Sequence, residues 1–139
     1  MLIKQISVFL ENRKGKLVEI TDILAKNNIN IRALSLADTA DYGVLRMIVN
    51  DTVKAEKVLR ENKIIVSINS MVSVSLPDEP GGLSKVLHVL ADNDLQIEYT
   101  YAFISHDAEK AFVLMRIEED LKACDILIKN GFEGLEEIN

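Results

Sequence analysis

The 139-residue sequence has no tryptophan, one cysteine, two prolines and two histidines, and aromatic residues make up only 5% of it. Each scarcity excludes some chemistry. The single thiol, Cys124, can close no intrachain disulfide and build no multi-thiolate metal centre, so a reducing compartment is its natural setting. His88 and His106 have no partners at metal-ligand spacing, and neither a metal nor any other cofactor is expected. Cys124 lies in an apolar helical stripe with Ala123 and Ile126, which reads as a small core or boundary residue rather than a nucleophile. No catalytic residue is expected. Positive charge is also in deficit, with 16 Lys and Arg against 22 Asp and Glu and a net charge of −6. That balance argues against non-specific binding to nucleic acid, which needs a clustered basic surface. No apolar run approaches the roughly 18–20 residues of a membrane span. The first ten residues, Met1 to Leu10, alternate like a strand instead of forming a signal peptide. The expected location is the cytoplasm, with neither a membrane nor nucleic acid as partner. A phosphate-cradling Gly-x-x-x-x-Gly-Lys-Ser/Thr run and a Cys-x-x-Cys pair are both absent.

What the chain does have is enough apolar residue, 48%, to pack a core, and an internal repeat. Shifted by 66 residues, Ile6-Ser7-Val8-Phe9-Leu10 falls on Val72-Ser73-Val74-Ser75-Leu76, Gly15 on Gly81, Leu17 on Leu83, and Asn27 on Asn93. Shifted by 68, Met47 meets Met115, Lys54-Ala55 meets Lys122-Ala123, and Asn62 meets Asn130. The second copy therefore carries two extra residues around Ser105 to Lys110. The matches concentrate at apolar and turn positions, as a duplicated fold requires. Two units are expected, residues 1–69 and 70–139.

Each copy spells the same elements. Residues 2–10 alternate with period two, as a strand does. Gly15 interrupts, and Leu17, Ile20, Ile23 and Leu24 form a helical stripe as far as Asn27-Asn28. Residues 29–36 alternate again, a turn-rich stretch follows from Asp38 to Gly43, and Val44 to Val49 completes a hairpin. Asp51 or Thr52 can cap a second helix, and Ile64 to Ile68 is a last strand. The second copy predicts strand 71–76, helix 82–93, strands 95–104 and 111–117, helix 120–130 and a short strand from Phe132. The order is β-α-β-β-α-β, which predicts an α+β fold of two ferredoxin-like units in tandem, with antiparallel sheets and helices on one face. No Gly, Pro or polar linker separates the copies. Val66, Ile68, Val72, Val74 and Leu76 keep one parity, so the last strand of one copy is expected to run into the first of the next.

The loop after each first strand carries a family likeness. Asp78-Glu79-Pro80-Gly81-Gly82-Leu83 resembles the Asp-x-Pro-Gly-x-Leu turn of ACT domains, and Asn12-Arg13-Lys14-Gly15-Lys16-Leu17 is its looser partner, with Lys14 where proline is usual. Asn28-Ile29-Asn30-Ile31 and Asp94-Leu95-Gln96-Ile97 echo the start of the second strand in the same family. The likeness spans nearly the whole chain, in two passes. It implies a free-standing pair of ACT domains, a cytoplasmic allosteric regulator without catalytic activity. It also implies an amino acid seated between one unit's loop and the second strand of an adjacent unit. The implied ligand-binding residues are Asn12, Arg13, Lys14, Gly15, Lys16 and Leu17 with Arg32, Ala33 and Leu34, and Asp78, Glu79, Pro80, Gly81, Gly82 and Leu83 with Glu98, Tyr99 and Thr100.

The physics of the loops fits that reading. Proline fixes φ, glycine lets a ligand come close to the backbone, and the helix that follows offers amides with no intrahelical acceptor. A carboxylate suits such a place. The plainer reading is a pair of turns, with Leu17 and Leu83 as core residues. Tyr99 and Tyr101 share a parity with Ile97 and Phe103, and they are either core fillers or a pocket wall. Two functions follow: a sensor of a free amino acid, or an assembly module that docks a metabolic enzyme without a small ligand. A homodimer is expected in either case.

Overall fold

The computed structural model describes residues 1–38, 41–103 and 109–135. His106, most of the stretch expected to hold the two-residue insertion, and Glu136, Glu137 and Ile138 lie outside the described residues. Ten elements follow in chain order: β1 (Leu2–Glu11), α1 (Lys16–Lys26), β2 (Ile31–Asp38), β3 (Tyr42–Val49), α2 (Thr52–Glu61), β4 (Ile65–Pro77), α3 (Gly82–Asp92), β5 (Ile97–Phe103), β6 (Lys110–Ile117) and α4 (Asp120–Lys129). They form two compact units. Residues 4–69 make the first, and Met1–Ile3 with the chain from Ser70 onward make the second.

In the first unit the strands lie in the order β2-β3-β1-β4. β1 pairs antiparallel with β3, with Ile6 opposite Met47 and Val8 opposite Leu45. Opposed residues share a face, and this one is packed by Ile20 and Leu24 of α1 and Ala55, Val58 and Leu59 of α2. Ile6, Val8 and Leu10, alternate side chains of β1, thus enter one core, as the period-two pattern requires. The other face is not bare. Gln5 is buried there, and its amide donates to Ser7 Oγ at 3.3 Å and to Asn69 Oδ1 at 2.9 Å. Polar residues at that depth must pair, and these do.

The second unit repeats the plan. β4 pairs with β6, and β6 with β5, both antiparallel. Val72, Val74 and Leu76 pack under Val86 and Leu90 of α3 and Ala123 and Leu127 of α4. β4 is one unbroken strand from Ile65 to Pro77, so the two copies join inside a strand. The strand expected from Phe132 does not form among the described residues. Only a single bridge, Ser75 with Glu133, marks its place. The amide of Ser73 donates instead to the Met1 carbonyl at 2.8 Å, so the start of the chain takes ladder positions the tail would need.

All four helices end in one device. Asn27, Asn62, Asn93 and Asn130 are the C-caps, and each side-chain amide donates back to the carbonyl four residues earlier, at 2.7 to 2.8 Å. The next residue is left-handed in every case: Asn28 (φ 57), Lys63 (φ 60), Asp94 (φ 57) and Gly131 (φ 83). An apolar residue then follows, Ile29, Ile64, Leu95 or Phe132, whose amide bonds the carbonyl five residues back. This is the Schellman ending, used four times. At the other end of α2, Asp51 rather than Thr52 is the cap, accepting from the Lys54 amide at 2.9 Å.

Candidate functional site

The two glycine loops have nearly one backbone. Gly15 (φ 85) and Gly81 (φ 86) are left-handed and immediately precede α1 and α3. Another residue in that conformation would pay about 1–2 kcal/mol. Their hydrogen bonds correspond one for one. Arg13 N donates to Glu11 O at 2.8 Å, and Glu79 N to Pro77 O at 2.9 Å. Lys16 N reaches Arg13 O at 3.3 Å, and Gly82 N reaches Glu79 O at 3.0 Å. Asn12 N bonds Asp41 O and Asp78 N bonds Glu109 O, tying each loop to its hairpin. In the second loop a Cβ on Gly82 would lie 2.5 Å from the Pro77 carbonyl oxygen, so glycine is required there by contact as well. The first-turn amides of Leu17 and Val18, and of Leu83 and Ser84, have no intrahelical acceptor, and the positive end of each helix dipole faces the loop.

The side chains differ. Arg13 Nε lies 3.1 Å from Glu11 and Lys16 Nζ 3.2 Å from Glu19, so two of the first loop's three cations already have carboxylate neighbours. Asn12 donates to Asp38 at 3.4 Å. In the second loop Glu79 pairs with Lys85 at 3.4 Å. The Arg13–Glu11 and Glu79–Lys85 pairs are exposed and each is worth at most about 1 kcal/mol, whereas the Lys16 side chain is only 17% exposed. Glu11, Glu19 and Lys85 were not anticipated; the Lys16–Glu19 spacing of three on a helix was the legible signal. Leu17 and Leu83 are not core residues. They remain 39% and 43% exposed, because their side chains start the outer flank of each helix while Ile20 and Val86 go under it.

The second strands hold a feature that alternation could not reveal. β2 is bulged between Ile31 and Ala33, and β5 between Ile97 and Tyr99. Arg32 and Glu98 are the extra residues, at equivalent places in the two copies. A bulge reverses the facing of all that follows. Ile31 and Ile97 point into the helix-side cores, whereas Tyr99 and Tyr101 stand opposite Arg116 and Leu114 on the other face. The shared parity of the tyrosines with Ile97 is thereby broken. Glu98 lies 3.6 Å from Arg116, whose guanidinium also donates to the Ser70 carbonyl at 3.4 Å. Thr100 Oγ1 donates to Leu114 O at 2.8 Å. Ala33 is buried, and Leu34 is exposed.

Within a unit, loop and strand do not meet. Leu34 pairs with Met47, which pairs with Ile6, while the loop begins at Asn12. Six residues of strand are about 20 Å. Cys124 is half-buried, and desolvation pushes its thiol above the ordinary value, reinforced by Asp120 and opposed by the N-terminal ammonium. It is a protonated, sluggish thiol at neutral pH. No helix of the described residues is long and apolar enough to cross a membrane, and no group of three or more His, Cys, Asp or Glu among them could hold a metal.

A duplicated βαββαβ unit, with helices on one face and a glycine loop at the head of each first helix, defines a tandem of small ferredoxin-like modules. The sequence matches the family described as an ACT domain pair over residues 1–139, and the chain belongs to that family. ACT domains are regulatory modules that bind amino acids. A crystal structure of protein BT0572 from Bacteroides thetaiotaomicron is 42% identical, with a TM-score of 0.92, covering 97% of this chain and 92% of that one. The regulatory subunit of aspartate kinase from Thermus thermophilus, in ligand-free form, shares the fold at 16% identity and a TM-score of 0.63, with 93% and 94% covered. Aspartokinase III of E. coli, in complex with lysine and aspartate, shares it at 20% identity and a TM-score of 0.52, with 95% of this chain and 32% of that one covered. Among curated proteins none matches.

Proposed function

We propose that the chain is a non-catalytic sensor of a free amino acid. Each glycine loop, 12–17 or 78–83, takes the ligand carboxylate, and the second strand of another ACT unit, at Arg32–Leu34 or Glu98–Thr100, closes the site. One observation carries this reading. The two loops keep the same backbone hydrogen bonds and the same glycine φ, although beyond Gly15/Gly81 and Leu17/Leu83 their sequences differ. A turn needs only to turn, whereas a backbone site needs its amides in place. The exposed Leu17 and Leu83 supply an apolar wall at the same spot. The bulges at Arg32 and Glu98 favour the strands' part, since bulges re-aim side chains beside sites.

The test is a thermal-shift screen with free amino acids, followed by calorimetry on Gly15→Val and Gly81→Val. A ligand at a hundred times its Kd adds about 2.7 kcal/mol to stability. Each variant should fold, by circular dichroism, and lose one loop site. Folded variants that both bind with wild-type stoichiometry would reduce the loops to turns and favour the second reading, a module that docks a metabolic enzyme through its exposed apolar residues.

A further inference from the structure

Both units carry a cleft at the same place, and the second is about twice as large. In the first unit it is a crevice of about 190 Å³, where the end of β1 and the start of α1 meet the chain leaving α2. In the second, the end of β4 meets α3 and the chain leaving α4, and the cleft measures about 400 Å³. Five matched wall positions differ in character, one of them Glu11 against Pro77, and the other four change the cleft's size and the placing of its charge. Where the first copy has Phe9 and Lys63, the second has Ser75 and Gly131, so a ring and a long side chain are gone. Lys63 and Gly131 are both left-handed, so the backbone shape is kept and only the side chain changes. Where the first has Tyr42 and Ile65, the second has Lys110 and Glu133, one charge of each sign. The apolar wall persists, as Leu10 and Ile64 in one and Leu76 and Phe132 in the other.

We propose that the second-unit cleft is a further binding site for a free α-amino acid, held as its zwitterion. It is separate from the loop-and-strand site and does not depend on it. Lys110 and Lys85 attract the carboxylate, Glu133 the ammonium, and the ligand side chain lies on Leu76, Pro77 and Phe132. Lys85 already pairs with Glu79, but that contact is long, at 3.4 Å, and exposed, so a ligand carboxylate can replace it. A cleft of this volume lies within the range of small-ligand sites. Its mixed lining favours a zwitterion: a plain carboxylic acid offers nothing to Glu133, and an amine offers nothing to Lys110.

The experiment is calorimetric titration of the full chain with each of the twenty L-amino acids. The tightest ligand is then compared with its des-amino acid and its amide. Lys110→Ala and Glu133→Gln change exposed groups and leave folding alone, while Ser75→Phe and Gly131→Lys restore the first copy's residues and refill the cleft. Lys110→Ala and Glu133→Gln should weaken one binding event by about fivefold, the worth of an exposed charge contact. Ser75→Phe and Gly131→Lys should weaken the same event by filling the cleft, and each analogue should bind more weakly too. Persistence of that event in Gly15→Val and Gly81→Val would assign it to the cleft. If all four cleft variants bind as wild type, the proposal is overturned, and losses confined to Gly15→Val or Gly81→Val would leave the loop reading standing alone. If no amino acid binds the wild-type chain, both fall.

Discussion

At the scale of single residues, glycine was legible and charge was not. Gly15 and Gly81 sit between a strand pattern and a helix pattern, a place where left-handed backbone is the usual need, and both adopt it. The three cations of the first loop looked like a carboxylate trap, yet Glu11 and Glu19 stand beside two of them. Both carboxylates lie within three residues of their cations, so the pairs were within reach of the sequence, but only the structure shows that they form. Cys124 was legible from its stripe, and its raised thiol gives a sharp expectation. Desolvation favours the neutral form, so the folded chain holds this proton more tightly than the unfolded chain. The associated stability is fully present at neutral pH and is lost as the pH rises through the alkaline range, and Cys124→Ser should flatten that decline. With an aromatic disulfide reagent at pH 8, the folded protein should react about tenfold slower than free cysteine, and at the free rate once unfolded. Equal rates in both states would contradict the burial.

At the scale of elements, the helices and the strand joining the copies could be read closely, because long periodic patterns leave little choice. The two bulges could not. A bulge is one extra residue relative to a partner strand, and nothing in Ile31-Arg32-Ala33 or Ile97-Glu98-Tyr99 announces it until the pairing is known. Among the described residues the strand expected from Phe132 meets a competitor of the same kind: Met1 already accepts from Ser73. The four helix endings were half-visible, as asparagines matching between copies but not between the two helices of one copy. Their shared geometry predicts a shared energy. Asn27→Ala, Asn62→Ala, Asn93→Ala and Asn130→Ala each remove one side-chain bond to a helix carbonyl and should cost about 1 kcal/mol by denaturant titration. Asn62, more sheltered than Asn93, should cost no less. A near-zero cost at all four would mean that solvent replaces the cap without loss.

At the scale of the whole molecule, the edge of the first unit's sheet points to self-association. β2 is an edge strand there, with one side of its backbone unpaired by any strand of its unit. Leu34 and Leu36 stand opposite Met47 and Leu45, on the helix-side face, yet they remain 55% and 46% exposed because α1 and α2 do not extend over that edge. The second copy has Thr100 and Ala102 at the equivalent positions, so the apolar character belongs to one edge and is no requirement of the fold. Soluble chains usually blunt such edges with charge or cover them, and a twofold pairing of copies is the commonest way to cover one. Light scattering at micromolar concentration should therefore give twice the 15.6 kDa of a single chain. Leu34→Lys with Leu36→Lys should return it to the monomer mass with the circular dichroism spectrum unchanged, since neither residue belongs to the buried core cluster. Leu36→Lys alone spares Leu34, a residue of the proposed site, and so separates assembly from sensing. If a loop site is completed by the second strand of another copy, the monomer should lose that binding event, while the cleft of the second unit keeps its own. A wild-type chain that scatters as a single 15.6 kDa species would remove the edge from consideration.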